Sequence, residues 1–228
     1  MRGVTVVIPV GPEPHHQKWL DECVQSVRSQ TYPVDEILLI DDMAALDDRE
    51  GCRIWQAPWR LGTAGAINCG VSLAKNDLVY ILCADDWLEP ECLAACVEEY
   101  ERRHCDPLGY YHVTIRFECE EGYAPPLPDP PIQDLPSIAA MVTKGLWRHM
   151  GGFPVAAEAS PDSILISILY GKKGSGNLYH VKQGVPLCNV RMHPEQDSAG
   201  RGTWLGVIHT VRDLVTREWE QPNWGRYE

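Results

Sequence analysis

The sequence predicts an α/β protein built on a mostly parallel sheet. Three observations point there. Short β-branched runs alternate with stretches of helical period. The runs are apolar throughout, as in strands covered on both faces. With 228 residues and 44% hydrophobic content, the chain suits one full core and is too short for two comfortable ones.

Taken in order, residues 4–8 read as a buried strand that ends at Pro9, which lacks the N–H needed to continue a central ladder. A helix follows over 17–29, with Leu20, Cys23, Val24 and Val27 on one face. Residues 36–40 form a second buried strand that runs into Asp41 and Asp42, and Ile54 lies on a short third. Residues 62–75 form a helix with Ile67, Val71 and Ala74 inward. The next buried strand, 78–82, runs into Asp85 and Asp86. Pro90 suits the first turn of a helix carrying Leu93, Ala94, Val97 and Tyr100. Tyr111, Val113, Ile115 and Phe117 alternate with His112, Thr114 and Arg116, as in a half-buried strand. The proline-rich stretch 122–136 is a loop and 151–153 a turn. Residues 160–170 form a helix with Ser160 as candidate cap, and the polar segment 194–202 is a candidate mobile loop.

Composition excludes several classes of function. A net charge of −12 argues against general nucleic-acid or anionic-membrane binding, which needs clustered Lys and Arg. The first strand begins too early for a leader peptide, and no apolar run approaches the ~20 residues of a membrane helix, so a soluble cytoplasmic protein is expected. Nine scattered cysteines fit reduced thiols; Cys92 and Cys96 have no second pair at zinc spacing and read as structural filler. The chain also lacks a G-x-G-x-x-G after the first strand, which disfavours a dinucleotide-binding oxidoreductase.

The chemistry is concentrated at two strand ends. Open α/β sheets bind ligands beyond the carboxyl ends of their strands, and here two buried strands each deliver a pair of aspartates to that edge. Unpaired carboxylates lose hydration there, so a cation or strong donors should lie nearby. Asp85 and Asp86 suit Mg²⁺ or Mn²⁺ bridging to substrate phosphates, or else are solvated loop-capping carboxylates.

Five segments in register resemble the inverting family-two glycosyltransferases of GT-A fold: Val6–Val10, 23–32, 36–42, 61–70 and 84–90. The resemblance is dense over residues 4–100 and looser over 137–193. It implies a single GT-A domain over 1–228, with a nucleotide-sugar-binding half at 1–105 and an acceptor-binding half with a C-terminal extension at 106–228. It further implies that Pro9, Val10 and Asp41 line the base and ribose pocket, Asp41 accepting from the base's imide N–H. Asp85 and Asp86 match the metal segment, where Mn²⁺ or Mg²⁺ neutralises the diphosphate leaving group. Two positions depart from the family: Cys83 stands for the segment's first aspartate, and Ile67 for the arginine before the matched Asn68. Arg60, at the start of the same loop, is the candidate substitute on the diphosphate.

In the second half, Met150-Gly151-Gly152-Phe153 followed by Glu158 and Asp162 resembles the segment that carries the general base, with Asp162 the first candidate and Glu158 the second. His193 matches a position near the metal or diphosphate. Trp147 and His149 fall on the acceptor side, where Trp147 stacks on a sugar or fills core. The implied reaction is transfer from a nucleotide-sugar, by default a UDP-sugar, to a protein, small-molecule or modified-nucleobase acceptor. A degenerate domain that binds without turnover stays open because of Cys83 and Ile67. A sugar nucleotidyltransferase is disfavoured, since 9–14 lack the basic residues of its phosphate loop.

Overall fold

The structure is a computed structural model that describes residues 1–134, 136–153 and 177–196. Its parallel centre forms from the most β-branched segments. Strand β1 (Val4–Val10) pairs in parallel with β2 (Glu36–Asp41) on one side and β4 (Leu78–Ile81) on the other, and β3 (Cys52–Gln56) extends the sheet beyond β2. The remaining strands are β5 (Trp87–Leu88), β6 (Gly109–Cys119), β7 (Ile132–Gln133), β8 (Ala140–Thr143) and β9 (Asn177–Met192). The sheet order is β3-β2-β1-β4-β8-β6-β9-β5, with β7 on β6. Strand β8 runs antiparallel to both β4 and β6, which leaves β6 and its parallel partner β9 aligned with the central strands.

Alternate residues of β1 enter opposite layers. Val4, Val6 and Ile8 pack with Leu20, Cys23, Val24 and Val27 of α2 (Leu20–Arg28) and Leu93, Cys96 and Val97 of α4 (Cys92–Arg102). On the other face, Val7, Leu38, Val79 and Ile81 pack with Ala66, Ile67 and Val71 of α3 (Gly62–Leu73) and Leu146 and Trp147 of α5 (Lys144–Met150). Gly70 permits the close approach of α3, because a Cβ there would lie 2.3 Å from Val7 Cγ1. Cys92 and Cys96 are core residues, as expected of filler. Among the described residues, no helix is long and apolar enough to cross a membrane.

Three expectations from sequence are corrected. The first strand runs on through Pro9 to Val10. Val7 C=O accepts from Leu82 N–H on the β4 side and Val10 C=O from Asp42 N–H on the β2 side. Pro9 shares the side of Val7, and β4 has ended there, so its missing N–H faces no strand. Next, the helix placed at 17–29 is two: α1 (Pro14–Lys18) and α2, interrupted at Trp19 (φ −112°, ψ 4°), with Pro14 in the first turn of α1. Finally, β6 is not half-buried. Residues 109–115 are all buried: Tyr111, Val113 and Ile115 pack in the layer of α2 and α4, Tyr110 in that of α3 and α5, His112 stacks on His180, and Thr114 bonds Asp134.

Candidate active site

The pairing of β1 with β4 ends at Val7 and Ile81, at the carboxyl edge of the sheet. Here the chain order reverses, from β1 outward to β2 and β3 on one side and to β4 on the other, which is where open α/β sheets bind ligands. Pro9 is half-buried and Val10 fully buried there, and both aspartate pairs follow strands at this edge.

The Asp41 carboxylate is heavily engaged with its own loop. Its Oδ1 accepts from the backbone N–H of Ala44 (2.6 Å) and Ala45 (3.1 Å), and Oδ2 accepts from Leu46 (2.9 Å). These bonds hold a loop in which Met43 (φ 70°) and Ala45 (φ 56°) adopt the left-handed conformation that side chains disfavour. Asp42 is similarly engaged. It accepts from Leu61 N–H (2.6 Å) and Gly62 N–H (2.9 Å), fixing the start of α3, and pairs with Arg60 Nε at 3.2 Å. Arg60 also forms an ion pair with Glu13 (2.9 Å), so two carboxylates hold its guanidinium.

The second pair sits in a tight turn that Asp86 N–H closes onto Cys83 C=O at 3.2 Å. This turn brings Cys83, Asp85 and Asp86 together, with one ligand-type atom from each lying within 4.8 Å of the others. Asp86 is buried, and its Oδ1 accepts from Arg191 N–H (3.0 Å). Burial, reinforced by the neighbouring Asp85 charge, pushes its carboxyl well above the usual carboxylate range. A divalent cation would offset both causes, and a thiol with two carboxylates is a donor set that can hold one. His193, fully buried, lies with Nε2 3.1 Å from Asp85 Oδ2, so the site gathers four of the residues singled out in the sequence.

Three residues that sequence reading did not single out organise this turn. The Trp19 ring lies 4.6 Å from that of His193, and His15 adds a second ring at 5.4 Å. Arg191 lies over the rings of Trp19 and Trp87, donates from Nε to Asp85 C=O (3.1 Å) and pairs with Glu22 (2.6 Å). The break in the helix at Trp19 is what aims the indole at His193, and a helical pattern interrupted by an aromatic gave no warning of it.

The glycine turn after α5 is tied to α3 at Asn68. Its Nδ2 donates to Phe153 C=O (2.8 Å) and its Oδ1 accepts from Phe153 N–H (2.8 Å), so its amide serves to pin the glycine turn to α3. Gly152 (φ 78°) is required there, since a Cβ would lie 2.4 Å from Asn68 Oδ1. Trp147 packs edge-to-face on Phe153 (4.8 Å) in the core, whereas His149 is exposed on the last turn of α5. Asp162 and Glu158 lie outside the described residues.

Residues 5–116 match the family described as glycosyl transferase family 2. The chain's sequence is similar to glycosyltransferase GlyG of Streptococcus pneumoniae serotype 4, with 28% identity over 120 residues, 48% of this chain and 39% of GlyG. Its structure is similar to S. aureus TarS in complex with UDP-GlcNAc (TM-score 0.69, 14% identity, 94% of this chain and 65% of that one). It is also similar to the UDP complex of TarS (TM-score 0.65, 15% identity, 94% and 64%). The chain thus spans less than two thirds of the length of these relatives, and at these identities the structural likeness establishes the GT-A fold alone.

Proposed function

We propose that this chain is an inverting glycosyltransferase that moves a sugar from a nucleoside diphosphate sugar, UDP-linked by default, to an acceptor hydroxyl, with Mn²⁺ or Mg²⁺ bound at Asp85 and Asp86. The observation that carries the reading is the Cys83–Asp86 turn, which gathers a thiol and two carboxylates able to hold an ion just after the end of β4. The TarS complexes with UDP-GlcNAc and UDP support a uridine donor.

In this reading Pro9, Val10 and the Asp41 loop enclose the base. Asp41 Oδ2 takes one backbone N–H and keeps a lone pair for an imide donor. When bound, the ion supplies positive charge to the leaving diphosphate. Arg60 contributes to the diphosphate by exchanging Glu13 for it, His193 orients Asp85, and Asn68 holds the glycine turn against the donor half. Asp162, with Glu158 as the second candidate, takes the acceptor proton. The acceptor is a protein, small molecule or modified nucleobase. A binding-only domain is the second reading, favoured by Ile67 and by the engagement of Arg60 with Glu13 and Asp42.

Calorimetry with UDP, GDP and ADP, in Mn²⁺ and in chelator, followed by assays of UDP-GlcNAc hydrolysis and transfer, tests the proposal. Ion-dependent UDP binding with turnover is expected, and Asp162→Asn should lower turnover by ~10²–10⁴-fold while donor affinity holds. Equal affinity in chelator sinks the ion site. Ion-dependent binding without turnover across a broad acceptor panel favours the binding-only domain, and loss of turnover in Glu158→Gln but not in Asp162→Asn moves the base to Glu158.

A further inference from the structure

Resting on the donor-site reading above, we infer that Cys83 is itself a metal ligand, and that its thiolate tunes the turn toward Co²⁺ or Zn²⁺ and away from Mg²⁺. The geometry places the thiol for this task. Cys83 and Asp86 occupy the first and last positions of one tight turn, so their side chains converge with that of Asp85 to within 4.8 Å. An ion with metal–sulfur and metal–oxygen distances of about 2.3 and 2.1 Å holds such donors about 3.6 Å apart at tetrahedral angles, a closure of roughly an ångström. Three protein donors leave a fourth position for a diphosphate oxygen, the arrangement of sites that act on substrate.

Cys83 differs in kind from the chain's filler thiols. Cys23, Cys92, Cys96 and Cys188 are buried within the apolar core, whereas Cys83 is half-buried, stands outside both hydrophobic clusters and is flanked by two carboxylates. His193, 3.1 Å behind Asp85, supplies the kind of supporting contact that orients a ligating carboxylate. Softness then decides the ion. Thiolate favours the later first-row ions, while Mg²⁺ wants an octahedron of oxygens. On binding, the Cys83 S–H proton leaves to solvent and the freed lone pair forms the sulfur–metal bond, so uptake releases a proton.

The test is a Co²⁺ titration of the whole chain with UDP present, reading the thiolate-to-cobalt charge-transfer band in the near ultraviolet, with affinities for Co²⁺ and Mg²⁺ from calorimetry. Wild-type protein should develop the band at one equivalent, Cys83→Ser should lose it, and Cys83→Asp should shift the Co²⁺/Mg²⁺ affinity ratio toward Mg²⁺ by about tenfold or more. Cys83→Asp also keeps the test alive if the serine variant folds poorly. An oxygen-only spectrum from wild-type protein holding one Co²⁺, or a band that survives Cys83→Ser, overturns the thiolate ligand. UDP binding that still requires the ion in that case leaves the transferase reading standing. UDP binding that ignores every ion overturns the metal-dependent transferase reading, and failure to take up Co²⁺ at all overturns both.

Discussion

Asp41-Asp42 and Asp85-Asp86 are the same dipeptide at the ends of the two strands that flank β1, yet their surroundings are opposite. The first pair receives five backbone N–H groups and the Arg60 guanidinium, so it is a structural anchor for two loops. The second pair has one backbone N–H on Asp86 and one imidazole on Asp85, and gathers a thiol instead. A buried carboxylate satisfied by N–H donors contributes to stability, whereas one held beside a like charge weakens the fold until a cation arrives. The difference teaches that donor count, and not residue identity, separates an aspartate that anchors its loop from one left to take a cation.

The largest expected effect lies at the second pair. Asp85→Asn should lower turnover by about 10³-fold, the several kcal/mol that a bound ion contributes, with little change in melting temperature. A variant that melts far below wild type would break the contrast between the pairs. At the first pair the weights reverse. Asp41→Ala orphans the N–H groups of Ala44, Ala45 and Leu46 and releases a loop with two left-handed residues, which should cost about 2–3 kcal/mol in urea unfolding. Unfolding curves that superimpose on those of wild type would show that this pair is not a scaffold.

A smaller effect of opposite sign should follow Asp86→Asn. Replacing a carboxyl whose charged form burial and Asp85 disfavour should raise the melting temperature in chelator, and a lower one would mean that the Arg191 contact outweighs that cost. The smallest effect tests whether acid sensitivity comes from neither pair. Burial, aided by the stacked His180 and opposed by Asp134, lowers the His112 pKa from 6.5 to about 4. The unfolded chain therefore takes up that proton first, and the stability gained by keeping His112 neutral is complete above pH 6.5 and lost as pH falls toward 4. His112→Gln should flatten the fall in melting temperature across that window, and an unchanged slope would return the acid sensitivity to the carboxylates.

The sequence by itself determined the parallel centre. The apolar runs of β1, β2 and β4 can be buried only between two helical layers, and the turn and carboxylate signals after them mark the edge where ligands bind. Those are local properties, legible because side-chain period and burial are written in neighbouring residues. The antiparallel strand β8 and the long β9 went unread, because their pairing with β4 and β6 is a contact between distant segments. For the same reason only the tertiary structure decided the fates of the site residues. Pairing of β9 with β6 carries His193 to Asp85 across 108 positions, and the return of α3 against β1 places the N–H groups of Leu61 and Gly62 on Asp42. Asn68, expected at the donor, has its amide engaged by the backbone of Phe153, a partner 85 positions away. Residue type fixes what a side chain can donate or accept, but which partner arrives depends on how the sheet closes, and that is a property of the whole chain.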